Sequence, residues 1–427
     1  MGRLYLRNNS KRRNNSKRRN NSKRRNKLSK RRIKLSKRRI KLSKRISKKK
    51  YKGGNLAGKS FTYNTDKYNI LNKISSGSYG EVYIIQNLTN TVNYTLKAVT
   101  NMSSDAKEIN ILNKLSNIPS EDQRRHNVIK IFSDAFSLPQ YKDYFGFFIL
   151  EYADGILDGT RYTPPDLYAY INVCKKKNMV DLHKISNIFL QMYDGLCFCH
   201  DNSVIHLDIK PDNFVIAGGV IKLVDFGLSE YDWDESGAPK KLTERGSAPY
   251  MPPETFVGGG FGEKTDFWAL GVTLYHLVTL NKPFNGTNLV QLYHDIEANN
   301  PQSIIGQGGG GRTLKVSGIE NKLDKTMDTA MVNQLITLQQ MGLKELKNIT
   351  GGKVNMLGGT LPDRVGDISI LDIIQDIING LLVSDYSQRY NRENIDKIEL
   401  LRSTINRIDL AVVKAEIEAV REELGLG

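Results

Sequence analysis

The chain reads His206-Leu207-Asp208-Ile209-Lys210-Pro211-Asp212-Asn213, and Asp225-Phe226-Gly227 follows about a dozen residues later. These two runs bring carboxylates, an amine and an amide close together in the sequence. Carboxylate and amide oxygens are ligands for a hard cation such as Mg²⁺, and a lysine ammonium group neutralises phosphate oxygens. The spacing therefore indicates metal-assisted chemistry on a phosphate group.

The first run resembles the catalytic loop of eukaryotic-type protein kinases, His-Arg-Asp-x-Lys-x-x-Asn, with Leu207 where that family usually has Arg. The resemblance implies that Asp208 orients a substrate hydroxyl and takes up its proton, and that Lys210 stabilises the phosphate in transfer. It implies that Asn213 and Asp225 hold Mg²⁺, or Mn²⁺ in its place. Lys210 also favours a serine/threonine kinase over a tyrosine kinase.

A segment upstream resembles the family's glycine-rich loop, which covers the phosphates of ATP. It reads Ile74-Ser75-Ser76-Gly77-Ser78-Tyr79-Gly80-Glu81-Val82, with Ser75 where the first glycine usually stands. Gly77 and Gly80 have no Cβ, so backbone N–H groups at these positions could approach phosphate oxygens closely. We expect all nine residues to contribute to ATP binding.

Two further stretches complete the expected nucleotide site. Lys97 looks like the family's phosphate-binding lysine, and Glu108, on a predicted helix, looks like its ion-pair partner. The run 147–152 resembles the strand that leads into the hinge between the two lobes of a kinase. The resemblance implies that backbone groups of Glu151 and Ala153 contact the adenine ring.

The run Gly246-Ser247-Ala248-Pro249-Tyr250-Met251-Pro252-Pro253-Glu254 resembles the end of the family's activation segment. Glu254 is expected to pair with Arg389, because a guanidinium group forms two parallel hydrogen bonds to a carboxylate. Asp266 looks like the aspartate of the family's central helix, which binds the backbone of the catalytic loop.

The order of the hydrophobic patterns predicts an α+β, bilobal protein-kinase fold with a cleft between the lobes. A small antiparallel lobe is expected over 68–151 and a larger helical lobe over 152–401. The strand-like runs of the small lobe are 68–74, 81–86, 92–100, 128–132 and 145–151, with a helix at 104–115.

Two regions modify this kinase domain of residues 68–401. The glycine-rich stretch 300–366 is expected to be a flexible insertion with one helix near 325–346. After Arg389 a long amphipathic helix is expected to run to Leu424, and residues 402–427 are its part beyond the kinase domain. Its apolar stripe consists of Ile398, Leu401, Ile405, Ile408, Val412 and Ile417. This stripe could pack on its own domain in a monomer or pair two chains in a dimer.

The N-terminal region carries the basic charge of the chain. Among its first 53 residues, 26 are Lys or Arg and none is acidic, whereas the whole chain has a net charge of +18. The motif Asn-Asn-Ser-Lys-Arg-Arg occurs three times between Asn8 and Arg25. Such a sequence cannot form a packed core, so residues 1–60 are predicted to be disordered. The tail could bind nucleic acid or import receptors, and an import signal would place the protein in the nucleus. The alternative is a low-complexity repeat expansion without a selected function.

The run Gly53–Ser60 fits the phosphate-binding pattern G-x-x-x-x-G-K-S. A working loop of this kind follows a buried strand and opens a helix. A polybasic segment precedes this run and poor helix sequence follows it, so no nucleotide site is expected here.

The cysteines and the hydropathy pattern bear on the compartment. Cys174, Cys197 and Cys199 give no disulfide framework, which favours an intracellular reducing compartment. No apolar run is long enough to predict a membrane span.

Leu207 affects the expected regulation. In the resembled family, the arginine at this position contacts a phosphorylated residue of the activation segment, and a leucine cannot. We therefore expect activity to be independent of phosphorylation at Ser229, Ser236 and Thr243. The alternative to an active kinase is a pseudokinase scaffold with a basic nucleic-acid-binding tail.

The expected partners are protein substrates. In the tail, Ser16 and Ser22 each follow an arginine at the −3 position, which is the pattern that basophilic kinases prefer. Asp166 is expected to receive such an arginine, so the tail itself could be a substrate or an inhibitor.

Overall fold

The structure is a computed structural model that describes residues 55–76, 80–99, 102–119, 121–141, 143–232, 246–257, 262–298, 301, 313–315, 364–365, 368–392, 394 and 396–406. These residues form the predicted α+β fold, with a sheet-rich small lobe and a larger helical lobe. None of the described helices is both long and apolar enough to cross a bilayer.

The small lobe is an antiparallel sheet of five strands whose spatial order is their chain order. The strands are β1 (Ser60–Tyr63), β2 (Asp66–Ser76), β3 (Gly80–Asn87), β4 (Asn93–Val99) and β5 (Gly146–Leu150). Helix α1 (Met102–Ser116) follows β4. Tyr83, Ile85 and Leu96 are fully buried in the core of this lobe, as expected for apolar and aromatic residues on the inner face of a sheet.

The small lobe begins earlier than predicted. Leu56 is 1% exposed and packs in the core of this lobe, and β1 begins at Ser60. The prediction of disorder for residues 1–60 is therefore wrong for 55–60, and the rest of the tail lies outside the described residues. Phe61 of β1 stacks on Tyr68 with ring centroids 5.2 Å apart, and this apolar contact offsets the ordering of a short edge strand. The strand also replaces the helix that the phosphate-binding pattern at Gly53–Ser60 would need.

Residues 128–132 do not form the predicted strand. Val128 and Ile131 make only isolated bridges, to Leu223 and to Leu150. The segment crosses between the lobes, because its first part bonds to the large-lobe hairpin and its last part to β5. An apolar run that changes partners in this way looks like a strand in the sequence but has no continuous neighbour.

The large lobe is built around two long helices. Its helices are α2 (Leu167–Lys177), α3 (Leu182–Asp201), α4 (Pro253–Val257), α5 (Glu263–Thr279), α6 (Leu289–Ala298) and α7 (Ile370–Leu381). Residues from Thr265 to Thr279 of α5 are all buried, which fits a helix that is apolar on every side and lies at the centre of the lobe.

Short strands surround these helices. They are β6 (Ile156–Leu157), β7 (Thr160–Arg161), β8 (Met179–Asp181), β9 (Val204–Ile205), β10 (Phe214–Ala217), β11 (Val220–Leu223), β12 (Glu230–Tyr231), β13 (Thr313–Lys315), β14 (Arg364–Val365) and β15 (Ile368–Ser369). The β10–β11 hairpin connects the catalytic loop to Asp225, and β12 pairs with β9 just before that loop.

Most of the predicted insertion, including its helix near 325–346, lies outside the described residues. Within it, β13 pairs in parallel with β8 of the large lobe. At the C-terminal end, residues 396–406 are helical, and Ile398, Leu401 and Ile405 are buried in the large-lobe core. The described part of the apolar stripe thus packs on its own domain. The helix continues through positions 401 and 402, as expected for a helix that begins before the predicted end of the domain, and residues 407–427 lie outside the described residues.

Candidate active site

Lys97 lies at the centre of a buried ionic cluster in the cleft. β4 places its side chain toward α1, where its Nζ donates to both carboxylate oxygens of Glu108 at 2.6 and 2.8 Å. The same Nζ donates to Oδ1 of Asp225 at 3.1 Å. Burial alone would lower the pKa of Lys97, but the charges of Glu108 and Asp225 outweigh it and hold the pKa above its usual value. The lysine is therefore a fixed positive charge at neutral pH.

Asp225 is held in an unusual backbone conformation. Its φ of 64° lies in the left-handed region, which aspartate tolerates better than most residues. Phe226 beside it is fully buried, and its ring packs edge-on against His206 at 5.0 Å. Burial would raise the pKa of the Asp225 carboxyl, but Lys97 outweighs that effect and lowers it. The segment thus presents an ionised carboxylate to the cleft, and the side chain is 38% exposed.

Asp208 accepts hydrogen bonds from three side chains. Lys210 Nζ donates to its Oδ2 at 2.6 Å, and Asn213 Nδ2 donates to the same oxygen at 3.0 Å and to the backbone oxygen of Asp208 at 2.7 Å. Ser247 Oγ donates to its Oδ1 at 2.9 Å and accepts from Lys210 Nζ at 2.9 Å. These contacts hold the carboxylate of Asp208 in one rotamer. A general base needs such a fixed orientation.

The contact of Ser247 with Asp208 is not predicted from the sequence. Ser247 lies 39 residues after Asp208, so no local spacing connects them. The resemblance at 246–254 is the only signal that places it near the catalytic loop. The structure adds Ser247 to the candidate site as a residue that positions Asp208 and Lys210.

Asp266 of α5 binds the backbone of the catalytic loop. Its carboxylate accepts from the backbone N–H groups of His206 and Leu207, both at 2.8 Å, and it also contacts His200 Nε2 at 2.9 Å. Leu207 itself is buried and has a φ of 67°. The predicted tie between the central helix and the loop backbone is therefore present.

The predicted Glu254–Arg389 pair is present as well. The two terminal nitrogens of Arg389 donate to the two oxygens of Glu254 at 2.7 and 2.9 Å. The guanidinium also donates to the backbone oxygens of Val383 and Lys264 and lies 4.8 Å above the ring of Trp268. This pair holds the end of the activation segment against the large lobe.

The glycine-rich segment is described on both sides of its tip. Ile74, Ser75 and Ser76 end β2, Gly80, Glu81 and Val82 begin β3, and Gly77, Ser78 and Tyr79 lie outside the described residues. At Gly80 a Cβ would lie 2.3 Å from the backbone oxygen of Ala98, so only glycine fits there.

The carboxylate of Glu81 points into the small lobe. It pairs with Lys73, accepts from Tyr83 at 2.6 Å and also contacts Tyr144. A contribution of Glu81 to ATP binding is therefore left to its backbone.

The hinge residues occupy the predicted place at the end of β5. The N–H of Glu151 donates to the backbone oxygen of Lys130 at 2.9 Å, and its carboxylate pairs with Lys222 at 3.1 Å. The N–H of Glu151 is thus already bonded, and the predicted contact of Glu151 with adenine is left to its backbone carbonyl. The backbone of Ala153 makes no hydrogen bond with another described residue.

The donors present fit a divalent cation bound together with a nucleotide. Asn213 turns its amide nitrogen toward Asp208, so the amide oxygen is the atom that it can present to a metal. Asp225 offers an ionised carboxylate. Among the described residues there is no group of three or more His, Cys, Asp or Glu that could hold a metal alone. Mg²⁺ commonly binds through one or two protein oxygens plus the phosphates of the substrate, which matches this sparse set.

Comparison with known proteins agrees with this geometry. The family described as "Protein kinase domain" matches residues 68–399. A probable serine/threonine-protein kinase of Dictyostelium discoideum is 29% identical over 239 residues, which cover 51% of this chain and 48% of that protein. The Aurora kinase of the same organism is 28% identical, over 56% of this chain and 58% of its own length.

A human relative, the serine/threonine-protein kinase Nek5, is 28% identical over 53% of this chain and 30% of its own length. The chain thus spans between about a third and about three-fifths of the length of these relatives.

Proposed function

The chain belongs to the protein kinase domain family, which uses ATP with a divalent metal ion, and from this premise we propose that it is an active serine/threonine kinase. It transfers the γ-phosphate of ATP to hydroxyl groups of protein substrates. The observation that carries the proposal is the arrangement around Asp208, whose carboxylate is oriented by Lys210, Asn213 and Ser247. Such a network holds the carboxylate in one orientation, which is what a general base requires.

Each residue has a role in the proposed reaction. Lys97, which Glu108 positions, would hold the phosphates of ATP. Asp225 and Asn213 would hold the metal ion, which would supply positive charge to neutralise the phosphates. Asp208 orients the substrate hydroxyl and accepts its proton, and Lys210 stabilises charge on the transferred group. Catalysis of this kind rests on positioning and electrostatics.

The test is transfer of labelled phosphate from ATP to a library of serine and threonine peptides. Asp208→Asn keeps the shape of the side chain but removes the base, so we expect transfer to fall by at least about 1,000-fold, or roughly 4 kcal/mol of barrier. Asp376→Asn, which removes a carboxylate paired with Lys397 in the large lobe, is the control and should leave transfer unchanged. A wild-type chain that labels no peptide would contradict the proposal and favour the scaffold alternative.

Independence from activation-segment phosphorylation is the second part of the proposal. Leu207 offers no cation to a phosphate, and Ser229 is fully buried with its Oγ bonded to the backbone oxygen of His206 at 3.2 Å. Ser236 and Thr243 lie outside the described residues. Replacing all three with Ala should leave the turnover within about tenfold of wild type, or 1.4 kcal/mol. A larger loss, matched by an equal loss in wild-type enzyme treated with phosphatase, would show that a phosphate on the segment is needed.

The proposed substrates carry arginine before the phosphorylated residue. Asp166 stands at the start of α2. Burial raises the pKa of its carboxyl, the backbone N–H of Ala169 opposes this effect, and the charge of Asp212 adds a smaller rise. Asp166 forms an isolated backbone bridge with Val215, three residues after Asp212, and the two carboxylates together would attract a cation.

Asp166 also caps α2, because its Oδ1 accepts from the N–H of Ala169 at 2.8 Å. Asp166→Asn keeps a capping side chain and removes only the charge. We expect it to raise the KM of a peptide with arginine at −3 by about tenfold and to leave a peptide without that arginine unaffected. Equal effects on both peptides would argue against this role. Mass spectrometry of Ser16 and Ser22 after incubation with ATP tests whether the tail is such a substrate.

A further inference from the structure

Glu108 can pair with Lys97 only while α1 stays against the cleft. In the family that the chain resembles, a cation before the catalytic aspartate and a phosphate on the activation segment help to order this region. Here Leu207 stands at that position, and its side chain is buried and apolar. Buried apolar residues such as Leu112 pack α1 into the core, and contacts of α1 with the activation segment can add to this packing.

Two lysines of α1 make such contacts. Lys107 forms an ion pair with Glu230 of β12. Lys114 donates to the backbone oxygen of Asn202 at 2.7 Å, and its ammonium group lies 5.1 Å from the ring centroid of Tyr231. Seven residues are close to two helical turns, so both lysines lie on one face of α1 and meet two consecutive residues of β12.

Strand β12, which both lysines contact, is itself held next to the catalytic loop. Glu230 pairs with Ile205 in the β9–β12 ladder, one residue before His206. Ser229 donates to the backbone oxygen of His206. A contact between Lys107 and Glu230 thus connects α1 to the segment that carries Asp208.

The burial of this ion pair makes it stronger than a typical surface pair. The side chain of Glu230 is only 10% exposed and that of Lys107 is 29% exposed, so water screens their attraction less than on an open surface. Lys107 is also the residue next to Glu108. The ion pair of Lys107 with Glu230 therefore restrains the same turn of α1 that presents Glu108 to Lys97.

We propose that Lys107 and Glu230 are positioning residues that hold α1 in the active arrangement without a phosphate on the activation segment, with Lys114 and Tyr231 as a second contact on the same face. The proposal rests on the function proposed above. It assigns the link between α1 and the activation segment to an ion pair between two side chains of the chain itself.

The experiment compares Lys107→Met with Lys184→Met in enzyme that has been treated with phosphatase and checked by intact mass. Lys184 is a matched control, because it is 28% exposed and pairs with Asp158 in the large lobe. Lys107→Met should lower kcat by about fivefold, or roughly 1 kcal/mol, and should speed hydrogen exchange in α1. Lys184→Met should change neither quantity. Lys107→Arg, and the charge swap Lys107→Glu with Glu230→Lys, should restore most of both.

The two readouts separate the proposals. Hydrogen exchange of α1 reports on the helix even if the wild-type chain transfers no phosphate. Unchanged exchange in Lys107→Met, or a charge swap that restores nothing, overturns the role of the ion pair. Wild-type transfer that is absent overturns the proposed function, while faster exchange in Lys107→Met still supports the link between α1 and β12.

Discussion

Lys97 in the cleft and Arg389 in the large lobe are both buried and both bind a glutamate, but their surroundings differ. Lys97 divides its donors between Glu108 and Asp225, and Asp225 is partly open to solvent. Arg389 has no exposed side-chain surface, and its other donors bind backbone oxygens. Asp225 is thus a partner of Lys97 that the phosphates of a nucleotide could replace. The pair of Arg389 with Glu254 is closed, because the arginine side chain has no contact with solvent. We expect substitutions around the cleft to affect activity first and substitutions around the closed pair to affect stability first.

The largest effect is expected at the closed pair. Arg389→Met leaves the carboxylate of Glu254 without its partner and removes the donors from two backbone oxygens. Breaking a buried pair in this way typically costs 3–5 kcal/mol, so the free energy of unfolding should fall by about 4 kcal/mol. Denaturant unfolding measures this loss. Arg389→Lys should recover only part of it, because an ammonium group cannot make the two parallel bonds. A loss below about 1 kcal/mol would remove the distinction between the two regions.

A slightly smaller effect extends the comparison to His276 of α5, a buried side chain that contacts Tyr250 at the end of the activation segment. Burial first, and then Lys282 and Lys175, lower the pKa of His276 to about 4, and its Nδ1 lies 3.2 Å from the hydroxyl of Tyr250. The unfolded chain binds a proton near pH 6.5, but the folded chain binds it only near pH 4. The stabilisation is therefore complete above pH 6.5 and is lost as the pH falls toward 4.

The expected size of this loss is about 3 kcal/mol across the window from pH 6.5 to 4. Chemical denaturation at several pH values should show it in the wild type. His276→Gln cannot titrate, so its unfolding free energy should fall by about 3 kcal/mol less over the same window. Parallel curves for the two proteins would mean that His276 is not held neutral.

The smallest of the three effects tests the cleft. Ser247→Ala removes the hydroxyl that orients Asp208 and Lys210, so kcat/KM should fall by about ten- to a hundredfold, or 1.4–2.7 kcal/mol of barrier. Its free energy of unfolding should change by less than about 1 kcal/mol. Ser247→Thr keeps the hydroxyl and should retain most of the activity. If Ser247→Ala instead destabilised the protein as strongly as Arg389→Met, cleft and closed pair would not differ as we infer.

The sequence predicts the paired charges of the site well. Lys97 with Glu108, Glu254 with Arg389, and Asp266 with the catalytic loop all meet as expected. Each member lies in a motif with a recognisable order of residue types. The fold class follows from the same motifs and from the change of hydrophobic period between the lobes.

Other contacts could not be predicted because they depend on tertiary position. Leu56 is a lone apolar residue next to a basic tail, and only the completed sheet provides the core that buries it. Lys107 and Glu230 are 123 residues apart and belong to no motif, so they meet only after β12 has paired with β9. Residues 128–132 have strand composition, but they change partners between the lobes. Local propensity contains no term for any of these arrangements.

The hydrogen bonds of Asp266 have a consequence for how freely the loop above it can change. They end on the backbone N–H groups of His206 and Leu207, and every amino acid except proline provides such a group. These two hydrogen bonds therefore do not depend on which side chain stands at position 207, provided that the residue accepts the positive φ and the buried site. A change of side chain that the site accepts therefore leaves the anchor of the loop, and with it the position of Asp208, in place, so position 207 can vary at little cost to the geometry of the site.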